Sequence, residues 1–308
     1  MARTTKENLL LGLKGMAMGA VELVPGVSAG TIALLTGIYQ EFIDALKSFS
    51  TVFPVLRKEG FKGAWQHVNG NFLVVLFIGM AVGIAALLNM IKYLLEFRAI
   101  PIWSFFFGLI VVSSIFVGKT VKTWKIQQVL AIIIGTILVY WVTGAAPTES
   151  SDSLLFVFIA GMLAICAMIL PGISGSFILV LLGMYIYIIE SLSEFNIAVL
   201  LTFGTGCVFG LVSFTHLLSF LLKRYHDTTI ALLTGFMLGS LNKIWPWKNT
   251  LSTMIDRHGE TVPKLQENIL PNDVVNVDPQ IGTAIICAIG GFLLIFAIEK
   301  IVAKQSAS

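Results

Sequence analysis

The sequence predicts an all-α polytopic membrane protein with an inverted-topology repeat, each half a re-entrant broken-helix hairpin followed by three transmembrane helices. Three observations predict this: an apolar composition, six long apolar runs, and two interrupted segments of one design. Of 308 residues, 56% are hydrophobic and 12% charged, and the mean hydropathy is +0.90. A soluble domain carries roughly a quarter charged residues. The runs Phe72–Leu95, Ile102–Val117, Gln127–Val142, Ile197–Leu222, Thr228–Leu241 and Ile281–Ile298 approach the ~20 residues that cross about 30 Å of hydrocarbon. The opening MARTTKENLLLGLKGM lacks a small-residue cleavage site and is not read as a signal peptide.

In chain order, repeat 1 covers 1–148: a hairpin over 9–46, then spans at about 72–95, 99–118 and 127–143. Repeat 2 covers 149–308: a hairpin over 154–190, spans at about 197–222, 228–245 and 281–302, and an external loop 246–280. Orientation follows from Lys and Arg, which gather in cytoplasmic loops. Arg3, Lys6, Lys47, Arg57, Lys58, Lys62, Lys119, Lys122, Lys125, Lys223, Arg224, Lys300 and Lys304 fall on one side, whereas TGAAPTESSDS and ESLSEF carry acid and no Lys or Arg. These facts agree only if neither hairpin crosses. The first then opens to the cytoplasm, the second opens outside, and both termini are cytoplasmic.

The hairpins carry the duplication. Aligned on Pro25 and Pro171, PGVSAGTIALLTGIY matches PGISGSFILVLLGMY at Pro, Gly, Ser, Ile, Leu, Gly and Tyr. Further on, Gly79 and Gly83 pair with Gly206 and Gly210, and Asn89 falls opposite His216.

Non-helical backbone in a bilayer leaves N–H and C=O groups unpaired, so it persists only against protein or a watery cavity. Pro25 and Pro171 each remove a donor, Gly26 and Gly172 permit reversal, and Ser28 and Ser174 cap the returning half-helix. Each hairpin then aims amide hydrogens and a positive dipole end at the bilayer midplane, an anion site without formal charge. Gly30, Thr31, Gly175 and Ser176 complete the two binding tips.

Glu22 sits three residues before Pro25 in an apolar half-helix. Intramembrane carboxylates face a cavity or a partner, so it is read either as a proton carrier or as a cap on free amides at the tip. Its counterpart is Met168. Lys14, Asn89, Arg98 and His216 are candidates for a substrate path; the competing readings are snorkelling for Lys14, anchoring for Arg98 and packing for Asn89 and His216. Cys166, Cys207 and Cys287 are widely spaced within apolar runs and read as small buried hydrophobes. With no CxxC, HxxxH or HExxH, neither a metal nor a cofactor is expected.

The segments KGMAMGAVELVPGVSAGTIALLTGIYQ and LPGISGSFILVLLGMY resemble the PopT family of bacterial undecaprenyl-phosphate translocases over nearly the whole chain. The first core reads Ser28-Ala29-Gly30, where the family more often has a central glycine. The resemblance implies a C55 isoprenoid phosphate as substrate, returned from the outer to the inner leaflet of the cytoplasmic membrane. It places Glu22, Pro25, Gly26, Ser28, Gly30 and Thr31 in one signature and Pro171, Gly172, Ser174, Gly175 and Ser176 in the other.

The expectation is a transporter, not an enzyme, working by alternating access with a coupling proton or Na+ and with no nucleic-acid partner. A small-anion channel or transporter using the same helix ends is the alternative. A lipid phosphatase lacks a nucleophile with a nearby base, and an assembly partner would be indifferent to Ser28 and Ser174.

Overall fold

The computed structural model describes residues 3–24, 27–148, 151, 153–255, 261–274 and 278–306. Helix α1 (Thr5–Glu22) starts at a capping box, with Thr4 Oγ1 accepting from Glu7 N–H and Glu7 Oε2 accepting from Thr4 N–H. After the interruption come α2 (Ala29–Leu35), a left-handed Gly37 with φ of 73°, and α3 (Tyr39–Ser48). Then follow α4 (Val52–His67), α5 (Gly70–Phe97), α6 (Ala99–Lys119) and α7 (Ile126–Gly144).

The order begins again with α8 (Leu154–Ile169), α9 (Gly175–Leu181), a left-handed Gly183 with φ of 67°, and α10 (Tyr185–Ser193). It continues with α11 (Ile197–Arg224), α12 (His226–Ser240), strands β1 (Lys248–Ile255) and β2 (Thr261–Asn268), and α13 (Ile281–Ser306).

Matched sequence produces matched packing. Both α2 and α9 have 7 residues and start after an extended serine, Ser28 or Ser174. Both α5 and α11 have 28 residues and follow an asparagine. Helix α1 packs on α5 as α8 packs on α11, while α6 pairs with α13 and α7 with α12. The close approaches also recur. A Cβ on Gly79 or Gly83 would collide with the carbonyl of Gly12 or Met16, and one on Gly206 or Gly210 with that of Phe158 or Met162. Such contacts let helices approach through dispersion, the attraction available where solvent is as apolar as the side chains.

This is a multi-pass membrane protein. Among the described residues, α5, α6, α7 and α11 are long and apolar enough to cross a bilayer, and α9 and α10 form a pair bent by 106°. The other two expected spans are shorter in apolar length. Helix α12 has 15 residues, about 22 Å of rise, because the chain turns at Leu241 and Asn242 Nδ2 ties back to Thr143 Oγ1 at 3.1 Å.

Two connections differ from expectation. The segment after α3 is helical, and α4 carries Phe53 and Phe61 largely exposed and Trp65 partly so. The segment 246–280, expected to be a loop in an all-α fold, holds the antiparallel β1–β2 ribbon with Lys248 opposite Asn268.

The core is uneven. Its main cluster encloses the first interruption, with Val24, Val27, Ala33, Ile43, Leu76, Ile110 and Met237 fully buried. A smaller cluster of Val157, Ala160, Met184, Ile188 and Val199 supports the second.

Candidate functional site

The first tip is closed on itself. Glu22 Oε2 accepts from the Ala29 N–H at 2.9 Å, and Ser28 Oγ accepts from Gly30 N–H at 3.1 Å. The chain's own carboxylate and hydroxyl thus take the first free amides of α2, groups that every helix start leaves without internal partners. The capping role weighed for Glu22 is present in the structure.

The same tip also grips the other half. Ser28 Oγ donates to Met168 O at 3.3 Å, and the buried Tyr39 hydroxyl donates to Ile169 O at 3.1 Å. These carbonyls lie where α8 breaks before Pro171. Ser28 and Thr31 are fully buried, and Thr31 Oγ1 has no hydrogen-bond partner among the described residues. Gly30 is so close that a Cβ there would lie 2.5 Å from Ile169 O. Pro25 and Gly26 lie outside the described residues.

The second tip repeats the design without the closure. Ser174 Oγ pairs only with Ser176 Oγ, at 2.8 Å, and α9 receives no side-chain cap. Pro171, Gly172, Ser174 and Gly175 are buried, but Ser176 is exposed. Gly172 adopts φ of 84° and backs onto α12 near Phe236 and Met237. Met168, the counterpart of Glu22, is 44% exposed, and Tyr185, the counterpart of Tyr39, is 40% exposed.

The remaining predicted residues scatter. Lys14 Nζ donates to Thr36 O at 2.9 Å, placing its charge at the C-terminal end of α2, where helix carbonyls favour a cation. His216 meets Ser50 Oγ at 3.3 Å through Nε2 and Val212 O at 2.8 Å through Nδ1. Asn89 and Arg98 are exposed on or beside α5. Neither is brought to a tip by any hydrogen bond among the described residues.

Sequence reasoning missed four features. Asp44 on α3 pairs with Lys223 at 2.9 Å and accepts from Ser219 Oγ at 2.7 Å, fastening the first hairpin to α11. Tyr39 supplies the clasp already described. An almost wholly apolar groove of about 450 Å³ runs between α1, α5, α6 and α13, lined by Val21, Ile32, Met90, Phe105, Phe106 and Leu294 among others.

The fourth feature is a second cavity, of about 490 Å³, between the ends of α7 and α12 and the base of the ribbon, with Lys243 and Lys248 in its wall. Burial, then the charge of Lys243, pushes the Lys248 ammonium down to about 7. The signal in sequence was KIWPWK, two lysines among tryptophans directly after an apolar run.

A family model described as "VCA0040-like: Undecaprenyl phosphate translocase-like" matches residues 18–262, a stretch that includes both tips. The chain belongs to this family. Among relatives, a Vibrio cholerae serotype O1 protein named polyprenyl-phosphate transporter is 44% identical over 308 residues, covering 99% of this chain and 100% of the relative. A Staphylococcus aureus protein of the same name is 35% identical over 253 residues, covering 76% of this chain and 85% of the relative. No solved structure matches the chain. The resemblance carried by the two Pro-Gly segments thus agrees with a match along most of the chain.

Proposed function

We propose that this protein carries undecaprenyl phosphate across the bacterial cytoplasmic membrane, from outer to inner leaflet, by alternating access. The relatives' names supply the substrate class, polyprenyl phosphate. One observation carries the mechanism: the same Pro-Gly-x-Ser tip occurs twice, closed by its own carboxylate in one half and uncapped in the other. The halves, 1–148 and 149–308, are read as an inverted repeat with re-entrant hairpins 9–46 and 154–190. Both termini then lie in the cytoplasm, and the second tip faces outward.

In this reading the lipid's phosphate meets Ser174, Ser176 and the amides of α9 around Gly175, with Pro171 and Gly172 shaping the turn. The isoprenoid tail stays in the apolar phase, and the groove beside Val21 and Ile32 offers it a path past the first tip. A small anion would have no use for such a groove, which favours a lipid substrate over the channel reading. Matched positions name the contacts of the reverse state. Asp44 with Ser219 corresponds to Glu190 with Lys92, an acid with a base, and Tyr39 on Ile169 O corresponds to Tyr185 on Leu23 O, whereas Lys223 has Glu96 as its counterpart and gives no ion pair in the reverse state. Glu190, Lys92 and Tyr185 are all exposed in the present state.

Inside, the phosphate replaces the Glu22 carboxylate at Ser28, Gly30 and Thr31. Thr31, buried without a partner, gains an acceptor. Inward movement of an anion against a negative-inside potential costs about 2.3 kcal/mol per charge per 100 mV. A proton taken by the displaced Glu22, or a co-transported Na+, offsets that cost. Lys14 steadies α2, and Asn89, Arg98 and His216 stand along the moving faces. The activity is transport without bond chemistry.

The test is purified protein in proteoliposomes with labelled undecaprenyl phosphate sampled by leaflet at two pH values. Wild type equilibrates the label, and Glu22→Gln loses the pH dependence. No transport by wild type would overturn the function; unchanged pH dependence in Glu22→Gln would overturn the proton role.

A further inference from the structure

Lysine ammoniums in a membrane protein ordinarily snorkel toward water or find a carboxylate. Lys243 and Lys248 meet no carboxylate among the described residues, and each is only partly exposed. Lys243 Nζ lies 4.6 Å from the centre of the Phe177 ring, and Lys248 Nζ lies 4.5 Å from that of Trp103 while donating to Lys243 O. Neither takes part in an ion pair among the described residues. Glu267, the carboxylate that lines the same cavity, accepts instead from Asn249 Nδ2 at 3.2 Å.

The surroundings are fixed rather than loose. Trp245 Nε1 donates to Ile269 O at 2.9 Å and Trp247 Nε1 to Pro279 O at 2.8 Å, which pins the KIWPWK turn. Asn268 Nδ2 donates to Asn242 Oδ1 at 2.7 Å, closing the far wall. Two lysines therefore share one cavity wall, half-buried, in a frame tied by hydrogen bonds. Desolvating cations without a counter-ion is costly, and an anion between them relieves both the burial and their mutual repulsion.

We infer that Lys243 and Lys248 form a capture site for a phosphomonoester, the first station of the lipid headgroup before the second tip. The route is short: Phe177, under the Lys243 ammonium, directly follows Ser176 in sequence, and the turn after α12 carries Lys243, a few residues beyond the Phe236 and Met237 contact with Gly172. Phe177, Trp103 and Trp245 supply apolar faces on which the first isoprene units rest. Assigning the phosphate to a lipid rests on the proposed function; the anion site itself does not.

The experiment measures binding to the full chain in nanodiscs of three probes: inorganic phosphate, undecaprenyl phosphate and undecaprenol. Wild type binds the lipid phosphate well above undecaprenol and binds inorganic phosphate weakly. Lys243→Gln/Lys248→Gln lowers lipid-phosphate affinity about tenfold or more, abolishes inorganic-phosphate binding and leaves undecaprenol unchanged. Lys243→Arg/Lys248→Arg retains binding, which separates lost charge from lost fold. Unchanged lipid-phosphate affinity in the Gln variant, or equal loss of undecaprenol binding with a native elution profile, would overturn the site. Anion binding without lipid transport by wild type would keep the site and refute the transport reading. Lipid transport with an unaltered KM in the Gln variant would do the reverse.

Discussion

The two hairpins share a sequence design and differ in what they touch. In the first, Ser28 and Tyr39 bond the carbonyls of Met168 and Ile169, Glu22 occupies an amide of α2, and Asp44 holds Lys223. In the second, Ser174 bonds only Ser176, Met168 stands where a carboxylate would, and Tyr185 is exposed. The difference teaches that one tip is shut by contacts of which its twin can copy the serine and tyrosine ones but not the carboxylate cap. A pair of equivalent elements in unequal states is what a two-state carrier requires, because an equilibrium shifts only where a ligand contacts the two states differently.

The comparison breaks most completely if the second tip is given the first tip's carboxylate. Met168→Glu places an acid where it can take the Gly175 amide, as Glu22 takes that of Ala29. A like charge set against an incoming anion costs several kcal/mol, so lipid-phosphate binding in nanodiscs falls by about a hundredfold, and transport falls with it.

A smaller effect comes from the position where the tips differ in size. Gly30→Ser forces a side chain against Ile169 O, and overpacking of this kind costs about 1–3 kcal/mol. The variant loosens the first tip and shifts the population toward its opening, visible as faster labelling of a cysteine at position 28. The mirrored Ser176→Gly leaves labelling at 28 unchanged, because Ser176 is exposed. Equal effects from both would contradict the asymmetry.

The mildest probe removes one hydroxyl. Tyr39→Phe deprives Ile169 O of its donor, at about 1 kcal/mol, and lowers thermal stability measurably. Tyr185→Phe leaves the resting stability unaltered yet slows transport, because the proposed exchange uses its hydroxyl only in the reverse state.

Much of the helical frame was legible in sequence. Apolar runs located α5, α6, α7 and α11 closely, since hydrocarbon thickness sets both length and composition. The Pro-Gly-x-Ser cores located both breaks, and Glu22 stood out because carboxylates are costly in an apolar segment. Pairings between distant segments were not legible: nothing local in Asp44 points to Ser219 or Lys223. Helix α4 was obscured by Pro54 and by Gly60, which sits at φ of 69°. The ribbon was hidden because Pro263 in β2 argues against a strand. Nor did the matched tips reveal their unequal states, which depend on the arrangement of the whole bundle; only Glu22 against Met168 hinted at it.

The central claim is that the two hairpins exchange states. Its most direct test is cysteine cross-linking in membranes, in a background with Cys166, Cys207 and Cys287 replaced. One pair is Asp44→Cys with Lys223→Cys; the other is Lys92→Cys with Glu190→Cys. Without lipid phosphate, the 44–223 pair cross-links and the 92–190 pair does not. Undecaprenyl phosphate raises 92–190 cross-linking at the expense of 44–223. A 92–190 pair that never joins, or two pairs that rise and fall together, would contradict the account.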